Sequence, residues 1–178
     1  MSINSKKKGN KFERIVAKLW SNWTGYEFNR TPQSGGLHWK NSENVVSDII
    51  CSDPIHSRRF QFSIEAKCHK DINFEHLLLN VKSKIREFWK QASHDGDRTS
   101  KIPILMMRYN GMPKDESFFV VNQFLGRILL KFPLKSAYLY AYSSDEECLY
   151  IFLTSDIMQN VPYKELHKIV KHNLKSKS

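Results

Sequence analysis

The sequence has few cysteines, no long apolar run and far fewer acidic than basic residues. The three cysteines, Cys51, Cys68 and Cys148, are far apart and form neither a disulfide framework nor a Cys-x-x-Cys pair. None of the seven histidines lies at a short ligand spacing from a cysteine, which argues against a structural zinc site. We therefore expect a cytoplasmic protein in a reducing compartment.

Long apolar segments are also missing. The longest apolar stretches have the length of a strand and fall short of the roughly 20 residues that cross a bilayer. The first eight residues, MSINSKKK, carry charge but lead into no apolar segment, so they do not form a secretory signal. With 178 residues and 40% hydrophobic content, the chain is expected to fold as one domain without a membrane partner.

Basic residues are abundant. Lys and Arg total 28 against 18 Asp and Glu, which gives a net charge of +10 and a pI near 9.5. Clustered cations gain free energy when they release the counterions of a polyanion, so this balance favours a nucleic-acid partner. An anionic membrane surface and a merely soluble basic surface remain the alternatives.

Hydrophobic periodicity predicts alternating helices and strands around a mixed central sheet, the α/β (α+β) class. A flexible basic arm is expected over residues 1–10, and a loop over residues 31–44. The predicted helices cover residues 12–23, 74–93 and 124–129 and a tail from Val161. The predicted strands cover residues 26–30, 45–51, 59–67, 102–109, 117–121, 137–142 and 149–153, and a polar loop covers residues 94–100.

Glu65 and Lys67 are unusual because they alternate with apolar residues and so project from one face of a strand that should be central. Charged groups near a sheet core are costly unless they are paired or bind a metal. An exposed polar face with a cross-strand ion pair is the simpler interpretation of these two residues taken alone.

Asp48 strengthens the case for a metal site. It lies inside an apolar run and is joined to the Glu65 strand by a short turn, so the two strands are expected to pair as a hairpin. Two converging carboxylates would suit Mg²⁺, with Lys67 orienting or helping to deprotonate a water beside the ion. In the alternative interpretation, Asp48 ends its strand early by capping a turn.

These residues together resemble the PD-(D/E)XK nuclease superfamily. The pattern is Ser47-Asp48, sixteen residues, then Glu65-Ala66-Lys67, preceded by a helix that carries Glu13. More narrowly, the chain is similar to the Holliday-junction resolvases of archaea and phages, through the segments KKKGNKFERIVAKLW and RTPQSGG and through the basic residues after the motif. The resemblance spans about residues 6–110. Ser47 stands where the superfamily usually has proline.

The resemblance implies a role for each matching position. Asp48, Glu65 and the Ala66 carbonyl would bind Mg²⁺ or Mn²⁺, Lys67 would be the catalytic lysine, Glu13 a ligand or water-holder, Ser34 a neighbour of the scissile phosphate, and Gln91 a support for the site. DNA contacts are expected from Lys6, Lys7, Lys8, Lys11, Arg30, Ser34, His38, Lys40, His69 and Lys70. For Glu13 and Gln91 simple solvation is the alternative, and for His38 and Lys40 it is packing.

The resemblance further implies a restriction-endonuclease-like mixed central sheet flanked by helices, with a catalytic core over residues 11–110. Residues 111–178 would add strands and a basic C-terminal helix. The implied activity is hydrolysis of DNA phosphodiester bonds, preferably in branched DNA such as a four-way junction, by a homodimer of phage or mobile-element origin. The alternatives are a homing or restriction-type endonuclease, whose loop at His38–Lys40 would contact bases, and a non-catalytic nucleic-acid-binding protein.

Overall fold

The computed structural model describes residues 3–31, 47–79, 82–113, 115–144 and 146–176, with side chains described from Lys7 onward. Within these residues one sheet of seven strands has the order β1-β2-β3-β4-β5-β7-β6. The strands are β1 (Phe28–Arg30), β2 (Ile49–Cys51), β3 (Phe62–His69), β4 (Ile102–Tyr109), β5 (Phe118–Asn122), β6 (Leu139–Ala141) and β7 (Leu149–Leu153). The helices are α1 (Ile3–Thr24), α2 (Glu75–Leu78), α3 (Lys84–Thr99), α4 (Gln123–Leu129), α5 (Thr154–Asn160) and α6 (Tyr163–Lys175).

The sheet is mixed because one pair of neighbouring strands is parallel. β3 and β4 run parallel, and the chain between them includes α3, as a parallel connection requires. All other neighbouring pairs are antiparallel, including β2 and β3, in which Ile49 lies opposite Ile64. The structure therefore confirms the predicted α/β (α+β) class with a mixed central sheet flanked by helices, and it confirms the hairpin that brings Asp48 to β3.

The helices divide the core between the two faces of the sheet. On one face, Trp20 of α1 is fully buried among aromatic rings from three strands and one connection, Phe28, Phe60, Phe62 and Phe119. On the other face, α3 packs Ile85, Trp89 and Ala92 against residues of β4, β5 and β7. Because side chains alternate along β3, its apolar set faces α1 and its polar set, with Glu65, faces α3.

The N-terminal segment was predicted wrongly. Residues 3–10 belong to α1, which begins at Ile3, so this part of the expected flexible arm is helical. Lysine has a good helix propensity, and extending a helix from the buried turns of Phe12–Trp20 adds one hydrogen bond for each residue ordered. The basic residues therefore lie on a fixed helix rather than on a flexible chain.

The helix predicted over residues 74–93 was also wrong in its bounds. The structure has a short α2 there, leaves Leu78 88% exposed, and continues α3 to Thr99, through residues expected to form a loop. Gly96 was one reason for predicting a loop. In the structure it lets α3 pack closely against the chain entering β4, because a Cβ at this position would lie 2.8 Å from the Lys101 carbonyl oxygen. α3 ends at Ser100, which adopts the left-handed conformation with φ of 52°.

α5 (Thr154–Asn160) was not predicted, and the other elements agree with the sequence apart from their ends. The strand expected from residue 59 begins at Phe62, after a short 3-10 turn over Ser57–Arg59. β2 begins at Ile49, so Asp48 immediately precedes the strand rather than lying inside it; residues 45–46 and almost all of the loop predicted over 31–44 lie outside the described residues. The strand at Leu149–Leu153 has the predicted bounds.

Candidate active site

The predicted catalytic residues lie together at one edge of the sheet, where the ends of several strands meet. The carboxyl ends of β1, β3 and β4 meet there with the starts of β2 and α1, because β2 is antiparallel to both of its neighbours. Glu13 and Glu65 are 4% and 2% exposed, although both are charged residue types. Buried carboxylates are costly, so the local partners of each decide what this edge can do.

Asp48 is fixed by the backbone of β3. Its Oδ2 accepts a hydrogen bond of 3.0 Å from the Ala66 backbone N–H, and the same oxygen lies 3.6 Å from the Lys67 Nζ. The Ile49–Ile64 pairing places Asp48 opposite Glu65 across the hairpin. In the capping interpretation Asp48 would end its strand, but it precedes β2, and its side chain accepts from the backbone of β3.

Glu65 is contacted from two sides. The Lys67 ammonium, projecting from the same face of β3, forms an ion pair with Glu65 Oε1. Gln91 of α3 donates a hydrogen bond of 2.7 Å from Nε2 to that same oxygen. The carboxylate is therefore oriented by a neighbour in its own strand and by the helix that covers this face.

Glu13 has a partner of its own. Arg30, the last residue of β1, donates from Nε to Glu13 Oε2 at 3.0 Å and from Nη2 to Asn10 Oδ1 at 3.4 Å. The burial of Glu13 rules out simple solvation, the alternative that the sequence left open. Arg30, which the resemblance placed on DNA, here holds Glu13 against the end of the sheet.

Burial and the negative charge of Asp48 raise the pKa of both glutamates at this edge. Burial, followed by the negative charge of Asp48, raises the pKa of Glu65 to about 8, although Lys67 opposes the shift. Burial and Asp48 also raise the pKa of Glu13 above its usual range, against the opposing effect of Arg30. For Lys67, burial acts to lower the pKa, but the Glu65 and Asp48 carboxylates outweigh it and raise the pKa. Without a further cation, the charged forms of both glutamates are therefore disfavoured at this edge.

The buried hydroxyl groups of Ser47 and Ser63 form a hydrogen bond next to Asp48. Ser47 and Ser63 are 8% and 3% exposed, and their Oγ atoms lie 2.6 Å apart in a hydrogen bond between the chain before β2 and β3. Thr31 Oγ1 also donates to the Ser47 carbonyl at 2.6 Å. Ser47, in place of the usual proline, therefore ties the Asp48 backbone to its neighbours.

The donor chemistry of this edge fits a hard divalent cation. Asp48 and Glu65 offer carboxylate oxygens, a bound cation would favour the charged form of Glu65, and Mg²⁺ is usually held by one or two carboxylates together with several waters. Within the described part of the chain no group of three or more His, Cys, Asp and Glu side chains is arranged to hold a metal. Two carboxylates, completed by the Ala66 carbonyl and water, are thus the set that these residues could provide.

The residues expected to contact DNA are only partly described. Lys7, Lys8 and Lys11 are exposed on α1, and Lys70 is exposed just beyond β3. His69 Nδ1 lies 2.7 Å from the Asp71 carbonyl oxygen and 3.3 Å from Asp71 Oδ1. Ser34, His38 and Lys40, and the side chain of Lys6, lie outside the described residues.

Sequence reasoning missed two features of the site. The sequence predicted a DNA contact for Arg30, but no neighbouring residue in the sequence indicated that Arg30 pairs with Glu13, seventeen positions earlier in α1. Ser63 shares the Glu65 face of β3, so the alternation that identified Glu65 was also the available signal for Ser63.

The hairpin thus carries a buried Glu65 beside the half-buried Asp48 and Lys67, and Glu13 of the first helix is close enough for the charges of Asp48 and Lys67 to affect its pKa. The family model described as "Phage putative PDDEXK endonuclease" matches residues 4–167. The chain belongs to this family, and nucleases of this kind bind DNA.

Two known proteins are similar to the chain. Protein D14 of Escherichia phage T5 is 29% identical over 109 residues, which is 61% of this chain and 66% of that protein, just under two thirds of its length. The structure of Archaeoglobus fulgidus Hjc, a Holliday junction resolvase, is 13% identical and is covered over 96% of its length and 90% of this chain, with a TM-score of 0.36. A TM-score this low carries no argument about substrate or assembly. In the described residues no helix is both long and apolar enough to span a membrane.

Proposed function

We propose that the protein is a Mg²⁺- or Mn²⁺-dependent endonuclease that hydrolyses phosphodiester bonds in branched DNA, such as a four-way junction. One observation carries this proposal. Asp48 and Glu65 lie opposite each other in a hairpin, both contact the Lys67 ammonium, and the pKa of Glu65 is raised to about 8 by burial and by Asp48. Two converging carboxylates that share one ammonium, with the pKa of one of them strongly raised, are expected at a site that binds a cation during function.

The roles follow from the contacts. Asp48, Glu65 and the Ala66 carbonyl would hold the metal, with Glu13 as a further ligand or as an acceptor that positions water. When bound, the metal supplies positive charge that stabilises the pentacovalent transition state and makes water more acidic. Lys67 would orient the attacking water and stabilise negative charge on the phosphate, and Gln91 would hold Glu65 in place.

The finer parts of the proposal rest on the resemblance of the sequence to junction resolvases. Branched DNA is the substrate that this resemblance implies, and a symmetric homodimer would present two active sites to two strands. The net charge of +10 supports strong, salt-sensitive binding to DNA phosphates. We expect the protein to act inside the cell, where such a substrate is found.

A cleavage assay with two DNA substrates tests the proposal. The protein is incubated in Mg²⁺ with a labelled four-way junction and with a linear duplex of the same sequence, beside Glu65→Ala and Lys67→Ala. Glu75→Ala and Lys18→Ala are matched controls, because both residues are exposed and neither is among the proposed catalytic or DNA-contacting residues. We expect paired nicks near the crossover with the wild type and the controls, and none with the two site variants or in EDTA.

Each other outcome has a definite meaning. Cleavage of the duplex at one sequence would keep the site but replace branched DNA by the sequence-specific target of a homing or restriction enzyme. Binding that persists in EDTA, without cleavage of either DNA in Mg²⁺ or Mn²⁺, would contradict the proposed activity and favour a non-catalytic DNA-binding protein.

A further inference from the structure

A cavity of about 480 Å³ lies beside the candidate active site, on the α1 face of the same sheet edge. Its volume is within the range of about 300–1,000 Å³ that holds small ligands. The N-terminal half of α1 forms one wall, and the ends of β3 and β4 with the turn after β4 form the other. The lining residues are Lys8, Lys11, Phe12, Ile15, Cys68, Arg108, Tyr109, Asn110, Gly111 and Met112.

The walls of this cavity are basic and its floor is apolar. Lys8, Lys11 and Arg108 contribute positive charge, and none of the ten lining residues is acidic. Burial raises the pKa of the Cys68 thiol, whereas the positive charges of Arg108 and Lys8 both act to lower it. The combination suits a ligand with an anionic group and a flat apolar body.

Arg108 is held at the cavity wall by the turn that follows β4. Its Nη2 donates to the carbonyl oxygens of Met112 at 2.8 Å and Pro113 at 3.1 Å. Its guanidinium carbon also lies 5.8 Å from the centroid of the Phe12 ring. A cation that is already positioned loses little conformational entropy when it binds an anion.

The cavity and the candidate catalytic residues share two segments of chain. Cys68 directly follows Lys67 in β3, and Phe12 directly precedes Glu13 in α1. Cys68 and Lys67 point to opposite faces of β3, so the cavity and Glu65 lie on opposite faces of the sheet, and Glu13, beside Phe12, lies between the cavity and the charges of Asp48 and Lys67 that affect its pKa.

We propose that this cavity binds one unpaired nucleotide of the cut strand, next to the scissile phosphate. Lys8, Lys11 and Arg108 would bind its phosphate, and its base would lie on the apolar floor formed by Phe12, Ile15 and Met112. In a duplex the bases are stacked inside the helix and cannot enter a concave site without unpairing. A strand that is already unpaired beside a branch avoids that cost, so the inference deepens the proposed function and rests on it.

Equilibrium binding in EDTA tests the cavity without requiring cleavage. The two probes are a labelled duplex and a fork of the same sequence with single-stranded arms. The test variant is Lys8→Ala with Lys11→Ala, and the matched control is Arg14→Ala with Lys18→Ala, which removes equal charge from exposed positions of the same helix outside the cavity. Alanine is tolerated at helical surface positions, so both double variants should fold.

We expect the test variant to weaken fork binding about tenfold more than duplex binding. The control variant should weaken binding to both DNAs by the same factor. If the test variant also loses the same factor on both DNAs, the lysines act only as general phosphate contacts and the inference is overturned.

Alkylation of Cys68 provides a second measurement in the wild-type protein. The fork should slow maleimide labelling of Cys68 more than the duplex does, while Cys51 and Cys148, which do not line the cavity, serve as internal references. Equal labelling of Cys68 with the two DNAs would contradict the inference. Fork-specific binding without cleavage in Mg²⁺ would overturn the proposed activity alone, and cleavage without fork-specific binding would overturn the cavity alone.

Discussion

Glu65 and Asp156 are buried to nearly the same extent, at 2% and 5% exposed, but Glu65 lies in β3 and Asp156 in the helix that follows β7, and their chemical surroundings are opposite. Glu65 faces the like charge of Asp48 and depends on Lys67 and Gln91 for compensation. Burial and Asp48 together raise its pKa.

Asp156, in the first turn of α5, is surrounded by hydrogen-bond donors. It accepts from the backbone N–H of Lys135 at 3.0 Å, from that of Ser136 at 2.8 Å, and from Asn160 Nδ2 at 2.7 Å. Burial acts to raise its pKa, but these donors outweigh burial and lower it. Two similarly buried carboxylates therefore differ in their surroundings: Asp156 joins α5 to the chain before β6 through hydrogen bonds that favour its charged form, whereas the charged form of Glu65 is disfavoured.

The largest expected effect is the loss of cleavage on exchanging Asp48 for Asn. The amide keeps an oxygen for the Ala66 N–H but removes the negative charge, so DNA cleavage should fall by about a thousandfold. The free energy of unfolding should change by less than about 1 kcal/mol, because one repulsion with Glu65 is also removed. Cleavage rates and urea unfolding measure the two quantities, and an equally active Asp48→Asn variant would contradict the assignment.

Exchanging Asp156 for Asn should lower the stability of the protein and leave DNA cleavage unchanged, the reverse of what is expected for Asp48→Asn. In Asp156→Asn an amide nitrogen competes for a place among N–H donors, so the protein should lose about 2 kcal/mol of stability at neutral pH and retain its cleavage rate after allowance for folding.

The loss of stability in Asp156→Asn should depend on pH, because the pKa of Asp156 is lowered in the folded protein. Its stabilising contribution is present above the ordinary value of 3.8 and is lost as the pH falls through the folded pKa. Urea unfolding should therefore show the difference between wild type and variant shrinking as the medium becomes acidic. A difference that stays constant with pH would show that the charge of Asp156 is not the cause.

A smaller effect is expected from Gln91, the neutral donor to Glu65. Gln91→Ala removes one oriented hydrogen bond and should lower the cleavage rate about tenfold, with little change in the binding of DNA in EDTA. Arg98→Ala, an exposed position on the same helix, is the control for changes in α3. If Gln91→Glu or Gln91→Ala is as active as the control, Gln91 does not position Glu65 for catalysis.

The alternation of β3 predicted the centre of this site and its place in the fold. Glu65 and Lys67 could be recognised because charged residues at alternate positions of an otherwise apolar strand need partners, and the short connection to Asp48 predicted the hairpin. The pairing of Glu13 with Arg30 could not be recognised, because it joins a helix to the end of a distant strand and depends on how the two pack. Asp156 gave no signal either, since its donors are mainly backbone groups of a remote segment.

Helix bounds were less predictable than strands. The apolar stripe from Leu78 to Ala92 has helical spacing, but Leu78 and Leu79 are exposed and α3 begins only after Ser83. Periodicity reports which residues could share one helix face, whereas the tertiary packing of Ile85 and Trp89 against the sheet decides where the ordered helix begins. The extension to Thr99 likewise depends on the contact between Gly96 and the chain entering β4.

The hydroxyl pair of Ser47 and Ser63 has an evolutionary consequence. Each hydroxyl is the described side-chain partner of the other, so replacing one alone strands a buried polar group at a cost of about 1–3 kcal/mol, whereas replacing both by small apolar residues removes that cost. Divergence at these positions should therefore proceed in step, with proline at position 47 accompanied by an apolar residue at position 63. A search keyed to proline before the metal-binding aspartate would overlook sequences that kept the paired serines.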